Sequence, residues 1–66
     1  KLGEIIGYLE DKDYRMRITV VNTISEILNK ENKEVLLSVV KKRLKPEKSR
    51  AVKASLEKFV SDAEYM

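Results

Sequence analysis

The sequence predicts an all-α fold of about four helices, arranged as two stacked antiparallel helix pairs. Apolar residues recur at helical spacing in four segments, which are separated by short polar breaks. No segment alternates apolar and polar residues with the period of two that a half-buried strand shows. The 66 residues include only two glycines and one proline, and Pro46 falls between two of the helical segments.

The first half of the chain predicts helices over residues 2–10 and 14–29. The first helix carries a row of apolar residues at helical spacing: Leu2, Ile5, Ile6 and Leu9. An acidic turn follows, in which Asp13 or Asp11 can cap the next helix. The second helix has a broad apolar face formed by Met16, Val20, Val21, Ile24, Ile27 and Leu28.

The second half predicts helices over residues 32–45 and about 47–62. Pro46 ends the third helix and suits the first turn of the fourth. The third helix is apolar over more than half of its circumference, at Val35, Leu36, Leu37, Val39, Val40 and Leu44. The fourth has a narrow apolar stripe of Val52, Leu56, Phe59, Val60 and Ala63. We therefore expect helices two and three to be covered on two sides and helix four on one.

The chain contains an internal repeat of about 36 residues. A shift of 35 positions aligns Leu2 with Leu37 in the first helix of each pair. A shift of 36 positions aligns Asp13 with Ser49, and both residues are able to cap the second helix of a pair. A helix pair followed by a similar pair is the unit of an α-solenoid.

The first helix–turn–helix resembles a HEAT repeat. Residues 9–20 contain a leucine that closes one helix, an acidic turn, and an apolar–Arg pair, Met16 and Arg17, that opens the next. HEAT repeats are helix pairs that stack into a solenoid. The resemblance implies a single domain of two repeats, at about 1–30 and about 31–66.

Arg17 lies within the apolar arc of the second helix, where a guanidinium needs a carboxylate partner. Asp13, four residues earlier, or an acid from a neighbouring repeat is the natural partner. In HEAT repeats these two positions form a ladder that joins successive repeats, so the resemblance implies that role for Asp13 and Arg17. The second unit departs from the pattern, because Pro46 and Lys48 stand where acids are expected and Lys53 replaces the Arg.

The composition argues against several classes of enzyme and metal site. Without Cys or His, the chain has no thiol nucleophile, no His base and no ordinary zinc site. The acidic turn with Glu10, Asp11 and Asp13 lacks the glycine and the further oxygen ligands of a calcium loop. We expect a non-catalytic protein without a metal or cofactor.

The second half of the chain accounts for the whole net charge of +3, because the first 33 residues carry equal numbers of basic and acidic side chains. Between residues 41 and 53, seven basic side chains accompany one acid, Glu47. We predict a patch for an anion or a partner here, formed by Lys41, Lys42, Lys45, Lys48, Arg50 and Lys53. No aromatic residue is interleaved, so base stacking is not expected.

The sequence favours a protein–protein interaction or scaffold module. Solenoids need about three or more repeats for stability, so we expect a neighbouring repeat or a second copy on an open apolar face formed by Leu2, Ile5, Ile6 and Leu9. The alternative is a small nucleic-acid-binding helical protein that uses residues 41–53, and a plain four-helix bundle dimer is a third possibility. No apolar run reaches the length of a membrane span, and the residue usage favours a cytoplasmic protein.

Overall fold

The computed structural model describes residues 2–66, and over this range it has four α-helices. Helix α1 spans Leu2–Gly7 and continues as a turn of 3₁₀-helix, Tyr8–Glu10. Helix α2 spans Tyr14–Ile27, α3 spans Lys33–Leu44 and α4 spans Arg50–Tyr65. No strand occurs in these residues, and the predicted all-α class is confirmed.

The two long helices, α2 and α4, both begin at side-chain caps. The Asp13 carboxylate accepts a hydrogen bond from the Arg15 backbone N–H at 2.9 Å. The Ser49 hydroxyl accepts one from the Val52 backbone N–H at 3.3 Å. Each cap satisfies an N–H group that has no partner inside its helix. The predicted caps are confirmed, and they lie 36 positions apart in the sequence.

Two asparagines build the turn between α2 and α3. The Asn29 side-chain oxygen accepts hydrogen bonds from the backbone N–H groups of Glu31 and Asn32, at 2.8 and 2.9 Å. The Asn32 side chain in turn accepts from the Asn29 N–H and donates to the Ile27 carbonyl, both at 2.8 Å. Because the asparagines occupy these backbone groups, α2 ends at Ile27 rather than at the predicted residue 29.

Helix α4 begins at Arg50, not at about residue 47 as the sequence predicts. Pro46 therefore does not enter the first turn of α4, which is a correction to the prediction. Ser49 has an extended backbone with ψ of 125°, and Glu47 precedes it in an irregular segment. The Glu47 carboxylate accepts a hydrogen bond from the Ser49 N–H, and this holds the segment outside the helix.

The core is organised around α4, which packs against both α2 and α3. The buried residues of α4 all belong to the predicted apolar stripe, and this one side of the helix contacts both neighbours. The buried core residues are Leu9, Val20, Val21, Ile24, Leu36, Val40, Val52, Leu56, Phe59 and Ala63. Helix α1 contributes no fully buried residue and packs against the edge of this core.

The broad apolar faces of α2 and α3 are only partly covered. On α2, Met16 and Ile27 are each 40% exposed, and on α3 Val35 is 54% exposed. Isolated apolar residues on a surface need no explanation. These three, however, adjoin apolar residues of the same helices that form the core. At these positions the apolar faces of α2 and α3 therefore continue from the core onto the surface.

None of the helices within residues 2–66 is both long enough and apolar enough to cross a membrane. Helix α4 is the longest at 16 residues, and its buried stripe is flanked by exposed charged side chains such as Lys53, Glu57 and Lys58. Its amphipathic pattern is that of a helix packed on one side against protein.

Candidate functional site

The most unusual feature of the fold is a buried carboxylate in the turn between α3 and α4. The Glu47 side chain has no exposed surface. Its Oε1 accepts a hydrogen bond from Arg17 Nε at 3.0 Å and forms an ion pair with Arg43 Nη2 at 3.1 Å. Its Oε2 accepts from Arg17 Nη2 and from the Ser49 backbone N–H, both at 3.0 Å. One carboxylate therefore receives three hydrogen bonds and forms ion pairs with two guanidinium groups.

Arg17 connects this carboxylate to the acidic turn before α2. Its guanidinium binds Glu47 through two parallel hydrogen bonds, which is the strongest geometry of an Arg–carboxylate pair. Its remaining nitrogen, Nη1, donates to the backbone carbonyls of Asp11 and Lys12. The Arg17 side chain is 13% exposed, so it points towards the core as its position on the helix predicts.

Arg43 connects the same carboxylate to the end of the first helix. It lies four residues before Glu47, and its Nε donates to the Leu9 carbonyl at 2.6 Å. We refer to Arg17, Arg43 and Glu47 as the ion cluster. It ties the 3₁₀ turn, α2, α3 and the cap of α4 to one another. Among residues 2–66, no buried side-chain nitrogen or oxygen lacks a hydrogen-bond partner.

The surroundings of Glu47 determine its protonation state. Burial by itself would raise the pKa of this carboxyl group. The hydrogen bonds from the Arg17 side chain and the Ser49 backbone, together with the positive charges of Arg17 and Arg43, act in the opposite direction and outweigh it. The pKa of Glu47 therefore lies below its ordinary value of 4.5, and the side chain is ionised at neutral pH. A buried carboxylate with both oxygens occupied is a structural group rather than an acid or base for catalysis.

The structure corrects the predicted pairing of Asp13 with Arg17. The Asp13 carboxylate forms its ion pair with Arg15, with 3.2 Å between Oδ2 and Nη2, on the exposed side of α2. Hydrogen bonds from the Arg15 side chain and backbone lower the pKa of Asp13. Arg17 lies on the opposite side of the helix, where the acid of the second helix pair is available. The second possibility raised by the sequence, an acid from the neighbouring unit, describes the observed contact.

Glu47 was not identified from the sequence as a site residue, although three signals point to it. It is the one acid among the basic residues 41–53. It lies four residues after Arg43, the spacing of an ion pair along one helix face, although here the pair bridges a helix end and the following turn. It also lies 36 positions after Asp11. The third signal is the most informative, because it uses the period of the repeat.

The acidic turn after the 3₁₀ segment stabilises the chain reversal. The Asp11 carboxylate accepts a hydrogen bond from the Asp13 backbone N–H at 2.8 Å, and Asp13 caps α2. No group of three acidic side chains in the described part of the chain is arranged to hold a metal ion.

The predicted basic patch divides into paired and unpaired members. Lys41 forms a salt bridge of 3.3 Å with Glu64 near the end of α4. Arg43 belongs to the ion cluster. The other five residues are exposed, and within residues 2–66 they form no salt bridge: Lys42, Lys45, Lys48, Arg50 and Lys53. The unpaired charge is therefore concentrated at the end of α3 and the beginning of α4.

The predicted open apolar face of the first helix is smaller than expected. Leu9 is 2% exposed and belongs to the core, which corrects its assignment to that face. Its carbonyl is bound by Arg43, so the 3₁₀ turn is held down on the core. Leu2, Ile5 and Ile6 are partly buried and pack against the edge of the core.

A more exposed apolar surface lies on α2, on the side away from α4. Val21 and Ser25 line a cleft of about 350 Å³ between α2 and α4, and so mark the side of α2 that faces α4. At about 100° per residue, Met16 and Ile27 lie on the opposite side of the helix. We call these two residues the α2 end face.

A second surface feature is a cleft between the first helix and α3. It has a volume of about 440 Å³ and is lined by Ile6, Leu9, Glu10, Val39, Lys42, Arg43 and Pro46. Four of these seven residues are apolar, and Lys42 and Glu10 are exposed on it. We call this the α1–α3 cleft.

Comparisons with protein-family models, with curated proteins and with solved structures found no match. The resemblance to HEAT repeats therefore depends on the residues of this chain alone, and it stays a prediction.

We predict that Glu47→Gln destabilises the fold by about 3–5 kcal/mol, because it leaves two guanidinium groups without their buried counter-charge. Urea unfolding followed by circular dichroism measures the change. A Glu47→Gln chain that is already unfolded in buffer is the extreme form of the same result. The matched control is Asp13→Asn, which keeps a good cap and removes an exposed ion pair, so its effect is much smaller. Equal effects of the two substitutions would contradict the structural role of Glu47.

The ion cluster also predicts a loss of stability in acid. Because the pKa of Glu47 is lowered in the folded state, its contribution is fully present above its ordinary, unfolded-state pKa of 4.5. The contribution decreases as the pH falls from there through the folded-state pKa. Urea unfolding between pH 7 and pH 3 should show this decrease in the wild type and also in Asp13→Asn. A decrease that disappears in Asp13→Asn would assign the acid sensitivity to the exposed pair instead.

Proposed function

We propose that this chain is a non-catalytic protein-interaction module of two HEAT-like repeats, whose first helix pair contacts a neighbouring repeat or a second copy. The observation that carries the proposal is the ion pair between Arg17 of the first helix pair and Glu47 of the second. It joins successive units through the core-facing Arg of one and the turn acid of the next. The resemblance to HEAT repeats implies such a ladder through Arg17, although the acid here corresponds to Asp11 of the first unit rather than to Asp13.

The similarity of the two turns supports a repeat rather than an accidental likeness. Asp11 and Glu47 each lie two residues before a helix cap, Asp13 or Ser49. In both turns the carboxylate accepts a hydrogen bond from the backbone N–H of the cap residue, at 2.8 Å and 3.0 Å. The acid of the second unit is therefore Glu47. The sequence comparison places Pro46 and Lys48, rather than Glu47, at the positions where acids are expected.

The first unit has the same turn acid but lacks an Arg partner for it. Within residues 2–66, the Asp11 carboxylate forms no salt bridge, although it occupies the position that Glu47 occupies in the second unit. In a stacked array, an Arg from a preceding unit would bind there. The α2 end face lies on the side of α2 away from α4, where that unit would pack.

The exposed apolar residues of the α2 end face support contact with another protein surface. Met16 and Ile27 are on the same helix as the buried Val20 and Ile24, so a neighbour that covers them extends the existing core. A chain of 66 residues has a small core, and every further apolar residue that is covered contributes to stability. An interaction module gains stability and a partner through the same surface.

We predict that the isolated chain self-associates through the α2 end face at micromolar concentration. Size-exclusion chromatography with light scattering should show a dimer or larger species, and Met16→Lys combined with Ile27→Glu should give a folded monomer of unchanged net charge. The control is Tyr65→Ser, at a residue that is 92% exposed in α4, and it should leave the association unchanged. A wild-type chain that stays a folded monomer throughout the micromolar range would refute the self-association.

The five unpaired basic residues favour a second candidate function, nucleic-acid binding. They are exposed at the end of α3 and the start of α4, and such a cluster can contact phosphates. Their spacing contains no aromatic residue for base stacking, so binding would depend on charge and would be insensitive to sequence.

This second function predicts a steep salt dependence. Fluorescence anisotropy with labelled single-stranded and duplex DNA of about 20 nucleotides should show affinity that falls steeply as salt increases. Lys45→Glu combined with Lys48→Glu should reduce the slope, whereas the matched pair Lys12→Glu and Lys30→Glu should not. Absence of binding at low salt would dismiss this function.

A further inference from the structure

The α1–α3 cleft has the chemistry of a site for a peptide. Its apolar walls come from two different elements, with Ile6 and Leu9 on one side and Val39 and Pro46 on the other. Helices α1 and α3 are not among the closely packed helix pairs of the fold, so the space between them is open to a ligand. Its volume of about 440 Å³ can accept two or three apolar side chains.

The cleft is held in shape by the ion cluster. Arg43 and Leu9 both line it, and the hydrogen bond from Arg43 Nε to the Leu9 carbonyl joins its two walls. The ion pair with Glu47 holds the Arg43 side chain in place, and Pro46 also forms part of the cleft wall. A ligand therefore meets a preformed site and does not have to order it, which lowers the cost of binding.

The charge around the cleft is positive. Arg43 lines the cleft, and the ion cluster to which it belongs carries a net charge of +1, from two guanidinium groups and one carboxylate. Lys42 is exposed in the cleft and forms no salt bridge within the described residues. Lys45 and Lys48 follow it, while Glu10 is the one acid in the lining. A carboxylate on the ligand is favoured at this edge by electrostatic complementarity.

The apolar surface is longer than the cleft itself. Val35 precedes Val39 by four residues, so the two share one face of α3, and Val35 is 54% exposed. The distance from Val35 to the end of α3 at Leu44 is about 14 Å. This length suits several residues of a peptide rather than a single small molecule.

From these observations we propose that the α1–α3 cleft binds a segment of a partner protein that places apolar side chains between Ile6 and Val39 and an acidic side chain against Lys42. This proposal rests on the role of the chain as an interaction module, but it concerns a different surface from the α2 end face. A nucleic acid lacks the aliphatic side chains for such a cleft, and the lining includes no aromatic residue for base stacking.

Selection from a random-peptide display library on the folded chain tests the proposal without assuming a sequence. The enriched peptides should combine leucine, isoleucine or phenylalanine with a net negative charge. Failure to enrich any peptide, or enrichment of neutral or basic ones, would overturn the proposal. The proposal would also be overturned if single-stranded DNA fully displaced an enriched peptide and the Val35→Ser variant bound that peptide as well as the wild type does.

Variants then locate the binding site. By calorimetry with one enriched synthetic peptide, Lys42→Glu should weaken binding about tenfold or more, because it places like charges together. The matched control, Lys30→Glu in the α2–α3 turn, should change it less than about twofold. Val35→Ser, at a residue that is 54% exposed, should weaken binding severalfold by removing apolar contact. Unchanged binding in Lys42→Glu would overturn the placement in this cleft.

The test separates this inference from the proposed self-association. The combined Met16→Lys and Ile27→Glu variant should bind the enriched peptide as well as the wild type does. If the wild type is monomeric yet binds the peptide, self-association through the α2 end face fails and the cleft stands. If the chain self-associates but enriches no peptide, only the cleft assignment falls.

Discussion

The fold depends on one carboxylate that two guanidinium groups surround. The Glu47 side chain has no exposed surface; it accepts three hydrogen bonds, from Arg17 and the Ser49 backbone, and forms an ion pair with Arg43. Burial of a charge is costly, and a buried ion pair does not necessarily add stability compared with apolar residues of the same size. Such a cluster instead restricts how the elements that carry it can be arranged, because displacement of one member leaves the others buried without a partner. In this chain the restriction determines how the two helix pairs fit together.

The same cluster also shapes the surfaces that we propose for interaction. It holds the 3₁₀ turn on the core through Leu9, and it keeps the segment before Ser49 outside α4. The first contact shapes one wall of the α1–α3 cleft, and the second leaves Lys45 and Lys48 exposed beside it. The α2 end face depends less on the cluster, because α2 is also packed against α4. The two proposed interaction surfaces thus have separate structural origins.

The features of this protein that can be predicted from the sequence are those that depend on residues close together in the sequence. Helical periodicity located the four helices, and the caps Asp13 and Ser49 follow from residue type and position. The inward direction of Arg17 follows from its place on the helix. The partner of Arg17 does not, because Glu47 is 30 residues away and looks like a minor exception in a basic segment. The late start of α4 follows from the hydrogen bond between Glu47 and the Ser49 N–H, and the position of Leu9 follows from the bond between its carbonyl and Arg43, so all three differences involve the ion cluster.

Hydrogen exchange of the arginine side chains tests the ion cluster most directly, and it uses the unmodified protein. The Nε–H of Arg17 is bonded to Glu47 and that of Arg43 to the Leu9 carbonyl, whereas Arg50 is exposed. We expect the Nε–H groups of Arg17 and Arg43 to exchange as slowly as the backbone amide of the buried Ile24, through global unfolding. Exchange of either group as fast as that of Arg50 would contradict a buried, fully bonded cluster at the centre of this fold.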